Sequence, residues 1–186
     1  MPGARVASGE RVTLRTVERE DVPFFSRSVT NPELRLPAGN TVVNQTQLES
    51  GVENDFGDDT PMVVCLDGDD AGPGPAAETD VHRIGGVSVT DEAPFRPDLG
   101  VFVVPEYQGE GFGTEAVSLL IDYVFQVYHH PAVGTWTFAS NEASRGLLES
   151  LGFTEEGRLR DDLYWDGQYR DRIQYGLRRE EWHDRH

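Results

Sequence analysis

The sequence contains no lysine. All 16 basic residues are arginine, against 33 acidic residues, and the formal net charge is −17. A Walker-type phosphate-binding loop needs a lysine after its last glycine, so that class of nucleotide-binding protein is excluded. The negative charge repels nucleic-acid backbones and anionic membranes, so we expect neither as a partner. Acidity spread along the whole chain also predicts a halophilic protein, adapted to salt that screens charge repulsion.

Cysteine and long apolar runs are also scarce. The one cysteine, Cys65, excludes an internal disulfide, and its place in the apolar run 62–66 predicts a buried side chain. No stretch of 18 apolar residues and no signal-peptide pattern is present, so we expect a cytoplasmic protein. The adjacent histidines His129 and His130 are too few for a metal site, and we expect no metal.

The length of 186 residues suits one domain. We place this domain at residues 10–180, between an N-terminal tail (1–9) and a C-terminal tail (181–186). Residues 67–80, DGDDAGPGPAAETD, contain too few apolar side chains to contribute to a core. We therefore expect a solvated loop there, joining two strands of a hairpin.

Apolar periodicity predicts an alternation of strands and helices. We expect strands at 12–17, 62–66, 83–89, 99–104, 135–138, 155–165 and 168–178. We expect helices at 22–29, 45–56, 114–128 and 142–151, with Asn141 as the N-cap of the last and Gly152 as its left-handed end. Residues 33–44 are predicted to be irregular.

The stretch 105–114, PEYQGEGFGT, joins a predicted strand to the longest predicted helix. Its glycines at 109, 111 and 113 allow positive φ angles and close approach of the backbone to a ligand. Successive amides in such a turn, together with the helix N-terminus, favour an anion. The order strand, glycine turn, helix therefore predicts a phosphate or diphosphate site.

Two other interpretations of this stretch stay open. It can be a tight turn with no ligand, because glycine is common in turns. It can also be a dinucleotide-binding fingerprint, but that motif needs an acidic residue about 20 positions further on. The corresponding region around 131–135 has none, and Glu142 comes too late.

Gln108-x-x-Gly111-x-Gly113 resembles the signature of the Gcn5-related N-acetyltransferase (GNAT) superfamily. The downstream motifs, Asn141-Glu-Ala-Ser144-Arg, Leu151-Gly-Phe and Tyr164-Trp-Asp-Gly, are similar to the branch that acetylates ribosomal-protein N-termini. The opening, with Leu14-Arg15 and Asn31-Pro-Glu, is similar to that branch as well. The resemblance thus covers nearly the whole chain.

This resemblance implies an α/β fold with a mixed, mostly antiparallel sheet of six to seven strands flanked by helices. Two central strands, 99–104 and 135–138, would splay apart and hold acetyl-coenzyme A between them. The residues that the resemblance assigns to acetyl-coenzyme A are Val103, Val104, Gln108, Gly109, Glu110, Gly111, Phe112, Gly113, Thr114, Asn141 and Ser144.

The resemblance also implies direct attack of an amine on the thioester. Ser144 matches a serine placed near the sulfur, although its hydroxyl can equally belong only to the helix start. The glutamate that precedes Tyr164 in the ribosomal-protein branch is Leu163 here. We therefore propose Asp162 as the base, through water, with Asp171 as an orienting or structural carboxylate.

The sequence thus predicts an acetyl-coenzyme A-dependent N-acetyltransferase that acts on a primary amine, including a protein N-terminus, as a monomer or homodimer. Acetylation of a small amine is the first alternative. A catalytically inactive acyl-coenzyme A-binding module is the second, because of Leu163.

Overall fold

The computed structural model describes residues 3–39, 41–54, 56–67, 81–92 and 96–185. These residues contain eight strands: β1 (Arg5–Ser8), β2 (Thr13–Thr16), β3 (Asp59–Asp67), β4 (Val81–Thr90), β5 (Asp98–Val103), β6 (Ala132–Phe138), β7 (Thr154–Trp165) and β8 (Gln168–Arg178). They also contain six α-helices: α1 (Val22–Thr30), α2 (Pro32–Ala38), α3 (Gln45–Glu53), α4 (Phe112–Val127), α5 (Glu142–Ser150) and α6 (Arg179–His183).

All eight strands belong to one sheet, in the order β1-β2-β3-β4-β5-β6-β8-β7. Neighbouring strands are antiparallel except β5 and β6, which are parallel and share the single register pair Asp98–Gly134. The sheet therefore consists of two antiparallel halves that meet at one short parallel contact. The mixed, mostly antiparallel sheet that the sequence predicts is confirmed, with eight strands in place of six to seven.

The main core lies between the sheet and α4. Six apolar side chains of α4 recur at helical spacing and are buried, namely Ala116, Val117, Leu120, Ile121, Val124 and Phe125. They belong to one cluster with sheet residues such as Leu14, Ile84 and Tyr175. A second, smaller cluster around Val63 and Cys65 packs against Phe25 of α1. Helices thus flank the sheet on both faces, and the predicted burial of Cys65 is confirmed.

Three elements differ from the sequence prediction. Residues 181–183, predicted as part of the C-terminal tail, belong to α6, in which Trp182 is buried. Residues 33–38, predicted to be irregular, form α2, because Pro32 takes the first helical position and the Asn31 side chain accepts from the Glu33 amide at 3.0 Å. Residues 5–8, predicted as part of a tail, form the edge strand β1. Both proline and asparagine favour helix starts as well as helix ends, so their presence alone does not fix the direction. The predicted loop at 67–80 lies outside the described residues, except for Asp67, which ends β3.

Candidate active site

The two halves of the sheet separate after one point of contact. The Gly134 amide donates to the Pro97 carbonyl at 2.8 Å, and the Thr135 hydroxyl donates to the Leu99 carbonyl at 2.7 Å. The ladder pairing of β5 with β6 consists of Asp98–Gly134 alone. The strands therefore open a gap toward their carboxyl ends, as expected from the family resemblance.

The edge of β5 at this gap carries backbone N–H and C=O groups that make no hydrogen bonds to a neighbouring strand. The Val104 amide donates to the Ile84 carbonyl at 2.8 Å, so it is engaged inside the sheet. Antiparallel pairing alternates, and Val103, opposite Gly85, therefore directs its N–H and C=O away from β4 and into the gap. The Val103 carbonyl accepts from Gln108 Nε2 at 2.8 Å. The Val103 N–H thus remains as a donor that faces the gap.

The glycine loop lies directly beyond β5. Gly109 and Gly111 have φ angles of 80° and 87°, in the left-handed region that favours glycine. Gly111 is the N-cap of α4 and has no side chain with which to cap it. The amides of Phe112, Gly113 and Thr114 consequently lack intrahelical acceptors. This arrangement suits a diphosphate, whose oxygens would accept from these amides at the positive end of the helix dipole.

The start of α5 adjoins the same gap. A Cβ atom added to Gly113 would lie 3.2 Å from Leu147 Cδ1 and 3.4 Å from Val103 Cγ2, so α4, α5 and β5 meet there. Ser144 is one helical turn before Leu147 and is half-buried. The Asn141 side chain accepts from the Ser144 amide at 3.2 Å and donates to the Pro37 carbonyl at 3.1 Å. The predicted N-cap role of Asn141 is confirmed, and its second bond ties α5 to α2.

Aromatic side chains line the other face of the gap. Phe102 of β5 stacks on Phe24 of α1, with ring centroids 6.2 Å apart. Across the gap, Trp136 and Phe138 of β6 make an edge contact at 5.7 Å. Gly39, at the end of α2, lies against both of these β6 rings. These rings form an apolar wall on the side of the sheet opposite α4.

A bulge in β7 places Asp162 beside this wall. Between Leu159 and Leu163, β7 has two more residues than the facing part of β8, and Asp161 has a φ of 49°. The regular strand alternation that the sequence suggests is therefore interrupted. Asp162 Oδ2 lies 2.8 Å from Arg172 Nε, and the Arg172 guanidinium lies 5.5 Å from the centre of a Trp136 ring.

Asp171 holds the bulge in place. Its carboxylate accepts from the Asp161 amide at 2.9 Å and from Arg158 Nε at 2.8 Å. The Asp161 amide first, and Arg158 second, lower the pKa of Asp171 below its ordinary value. This geometry favours the structural role of Asp171 over a catalytic one.

One carboxylate at the closed end of the gap is missing from the sequence prediction. Asp98 lies where β5 and β6 meet, on the same face of β5 as Phe102. Its surface is exposed, yet surrounding protein desolvates the carboxylate and raises its pKa to about 6, although Arg96 and Arg172 oppose the shift. Desolvation by the folded protein causes this rise in pKa, so no local sequence signal marks Asp98.

Neither a metal-binding cluster nor a membrane-spanning helix occurs in the described part of the chain. No group of three or more His, Cys, Asp or Glu side chains there is arranged to hold a metal ion. None of the described helices is long and apolar enough to cross a membrane. Within the same residues, His130 Nε2 lies 2.9 Å from Asp91 Oδ1.

The residues present fit acetyl-coenzyme A. The glycine loop offers amides for a diphosphate, and the open edge of β5 offers a strand-like partner for an extended amide-containing arm. Ser144 and Val103 lie at the gap where such an arm would end, and the aromatic wall leaves the opposite face for an acceptor. Donor and acceptor would thus approach the gap from opposite faces of the sheet.

Comparisons with known proteins agree with this geometry. The chain is 28% identical over 180 residues to the SPbeta prophage-derived uncharacterized N-acetyltransferase YokL of Bacillus subtilis, with 96% of each chain covered. It is 29% identical over 170 residues to the spermidine N(1)-acetyltransferase of Escherichia coli, covering 89% of this chain and 85% of that one. It is 35% identical over 92 residues to the putative ribosomal N-acetyltransferase YdaF of Bacillus subtilis, and this match spans half of each chain.

Solved structures share the fold. Spermidine N-acetyltransferase from Vibrio cholerae, in complex with CoA and spermine, superposes with a TM-score of 0.79 at 20% identity, covering 94% of this chain and 99% of that one. RimJ from Mycobacterium smegmatis, in complex with CoA-disulfide, gives 0.74 at 23% identity, covering 97% and 87%.

Residues 11–154 match the model of the acetyltransferase (GNAT) domain family. Because this match takes in most of the chain, including the glycine loop, α4 and the start of α5, the chain belongs to the GNAT acetyltransferase family, whose members use acetyl-coenzyme A.

Proposed function

We propose that this chain transfers an acetyl group from acetyl-coenzyme A to a primary amine, including the α-amine of a protein N-terminus. The gap between β5 and β6, which ends at the two left-handed glycines, is the observation that carries the proposal. Bound acetyl-coenzyme A supplies the activated acetyl thioester. The chain itself has to bind this donor, orient the amine and move two protons.

Donor binding is assigned to the loop and the edge of β5. The backbone amides of residues 109–114 would hold the diphosphate, and Gln108 would position Val103 through its 2.8 Å bond. The Val103 N–H would donate to the acetyl carbonyl oxygen, where negative charge develops during attack. Asn141 and Ser144 complete the donor side, with the Ser144 hydroxyl giving a proton to the departing thiolate.

The amine must lose a proton, and we assign this step to Asp162, acting through water. Its support is its position next to Arg172 and the Trp136 wall. Asp98 is the rival base. A base works best when its pKa is near the working pH, and the pKa of Asp98 is about 6.

The acceptor is the least constrained part of the proposal. Relatives include both ribosomal-protein and spermidine acetyltransferases by name. A surface of formal net charge −17 attracts cationic acceptors of either kind. The α-amine of a protein is our first assignment, because the motifs of the last two strands resemble the ribosomal-protein branch. A small amine is the alternative.

Thiol release from acetyl-coenzyme A in the presence of a panel of peptides and amines tests the activity, with mass spectrometry of the products. We expect acetylation of one class of primary amine and none of a matched N-methylated tertiary amine. Binding of coenzyme A without thiol release for any amine would instead indicate an inactive acyl-coenzyme A-binding module. Absence of coenzyme A binding by calorimetry would overturn the proposal.

We further propose that the protein works in the cytoplasm of a halophile, as a monomer or homodimer. The absence of lysine and the net charge of −17 support the first part. At about 0.1 M salt the screening length is about 10 Å, against about 3 Å at 1 M, so repulsion between surface carboxylates falls steeply in strong salt. Circular dichroism after dialysis into low salt should show loss of structure. An unchanged spectrum would contradict the halophilic assignment.

A further inference from the structure

The turn between β1 and β2 is fastened to the start of α4. Glu115 Oε1 accepts from the backbone amides of Arg11 at 2.8 Å and Val12 at 3.2 Å. Glu115 Oε2 accepts from Arg11 Nε at 3.1 Å. One carboxylate thus accepts three hydrogen bonds and joins segments 104 residues apart in the sequence. They bring the Arg11 side chain to the glycine loop.

The Arg11 guanidinium continues onto the loop itself. Its Nη1 donates to the Glu110 carbonyl at 2.9 Å, and its central carbon lies 4.8 Å from the centre of the Phe112 ring. A Cβ atom added to Gly111 would lie 3.2 Å from Arg11 Nη2, so this nitrogen is next to the left-handed N-cap. The described residues provide no hydrogen-bond acceptor for Nη2, and 49% of the side chain is exposed.

Because the glycine loop is negatively charged, a positively charged group such as Arg11 Nη2 matters for binding a diphosphate there. Residues 105–115 contain three glutamates, Glu106, Glu110 and Glu115, and no basic residue. Backbone amides are neutral donors, so by themselves they would have to hold a diphosphate against these carboxylates. A guanidinium beside the N-cap supplies positive charge and forms charge-assisted hydrogen bonds with phosphate oxygens.

We propose that Arg11 is a phosphate-binding residue of the donor site, and that it also fixes the glycine loop through Glu110. The inference rests on the proposed function, because the ligand is the diphosphate of acetyl-coenzyme A. Nε and Nη1 position the guanidinium, and Nη2 donates to the phosphate. The donor site is therefore completed by a residue from near the N-terminus, far from the loop in sequence.

Comparison of two acetyl donors tests this role. Acetyl-coenzyme A contains the diphosphate, whereas S-acetylpantetheine contains the same thioester and arm without any phosphate. We expect Arg11→Gln to raise KM for acetyl-coenzyme A about 10- to 100-fold, the equivalent of one charge-assisted hydrogen bond. The same variant should leave kcat nearly unchanged and should change KM for S-acetylpantetheine by less than about twofold.

Two matched variants distinguish phosphate binding by Arg11 from its structural support of the glycine loop. Glu115→Gln weakens the attachment of Arg11 but keeps its charge, so it should lower the melting temperature while leaving KM for acetyl-coenzyme A within about threefold of the wild type. Arg178→Gln removes the same charge from a side chain that is 68% exposed and has no contact with the loop. It should leave KM unchanged for both donors.

Each possible result has a defined meaning. If wild-type protein does not bind coenzyme A, the proposed function itself fails. If it does bind, and Arg11→Gln impairs both donors equally or neither donor, the phosphate role is wrong. A penalty confined to acetyl-coenzyme A, and reduced as salt rises from 0.2 M to about 2 M, supports the role, because ionic screening weakens an exposed charge contact.

Discussion

The donor and acceptor sides of the gap are built in different ways. Most of the donor side consists of β5, the glycine loop and α4, which follow one another in sequence over residues 98–127, and the start of α5 completes it. The acceptor side is assembled from α1, α2, β6 and the bulged hairpin of β7 and β8, which are far apart in sequence. Local rules of turn and helix formation determine the first, whereas long-range contacts determine the second. The proposed acceptor side is therefore the part of the molecule that is harder to infer from sequence.

The strongest test of the acceptor side is removal of its proposed base. Asp162→Asn should lower kcat at neutral pH about 100-fold or more, since general-base catalysis contributes about 10²- to 10⁴-fold. KM for acetyl-coenzyme A should not change, because Asp162 lies beside Arg172 and away from the glycine loop. Initial rates across pH 5 to 9 measure both quantities.

Asp98→Asn is the matched variant for this test. If Asp98 is the base, the rate of the wild type rises with pH through the pKa of about 6, and this rise disappears in Asp98→Asn. Asp162→Asn would then retain the wild-type rate across pH. That outcome would transfer the assignment from the predicted residue to the one that only the structure identifies.

The donor side is tested by its backbone conformation. Gly111→Val should reduce kcat/KM for acetyl-coenzyme A about 100-fold, because a β-branched residue disfavours a φ of 87° and would displace the amides of the loop. Kinetics at saturating amine, with calorimetry of coenzyme A binding, measure the loss.

Gly167→Val provides the control. Gly167 has a φ of 78° and lies in the turn between β7 and β8, where an added Cβ meets no atom within 4 Å. Both substitutions carry a strain of about 1–3 kcal/mol, so both should lower stability. Donor kinetics should change only for Gly111. Equal kinetic losses in the two variants would mean that strain, and not the loop geometry, is responsible.

The sequence predicts the donor side well because the features of that side are local. The glycine spacing, the apolar stripe of α4 and the Asn141 cap are each encoded within a few residues. Helix α2 is missed because Asn31 and Pro32 are compatible with both ends of a helix. The bulge at 160–162 depends on Asp171, and the raised pKa of Asp98 depends on desolvation by the folded protein. No short sequence pattern predicts either feature.

The contact between Arg11 and Glu115 is a further feature that no short sequence pattern predicts. Neither residue stands out locally, since Glu115 looks like a normal first-turn carboxylate of a helix. Their partnership exists only after β1 and β2 join the sheet beside α4. Even on the donor side, the charged residue that we assign to the phosphate is therefore contributed by tertiary structure.

The smallest expected effects are stability changes of opposite sign at two carboxylates, Glu115 and Asp98. Burial alone would raise the pKa of Glu115, but hydrogen bonds from the Arg11 and Val12 amides and from the Arg11 guanidinium outweigh it and lower the pKa. A lowered pKa means that the charged form stabilises the fold at neutral pH. Glu115→Gln should cost about 1–2 kcal/mol at pH 7, and the cost should shrink as pH falls below about 4.

Asp98→Asn should act in the opposite direction. Its raised pKa means that the charged carboxylate destabilises the fold above about pH 6, so its removal should increase the free energy of unfolding at pH 7. Because the group is exposed, we expect a gain of less than about 1 kcal/mol. The gain should vanish as pH falls from 6 toward 4, where Asp98 is protonated in the folded protein. Urea unfolding of both variants at pH 4 and 7 measures the two signs, and a loss of stability in Asp98→Asn at pH 7 would show that Arg96 and Arg172 outweigh desolvation.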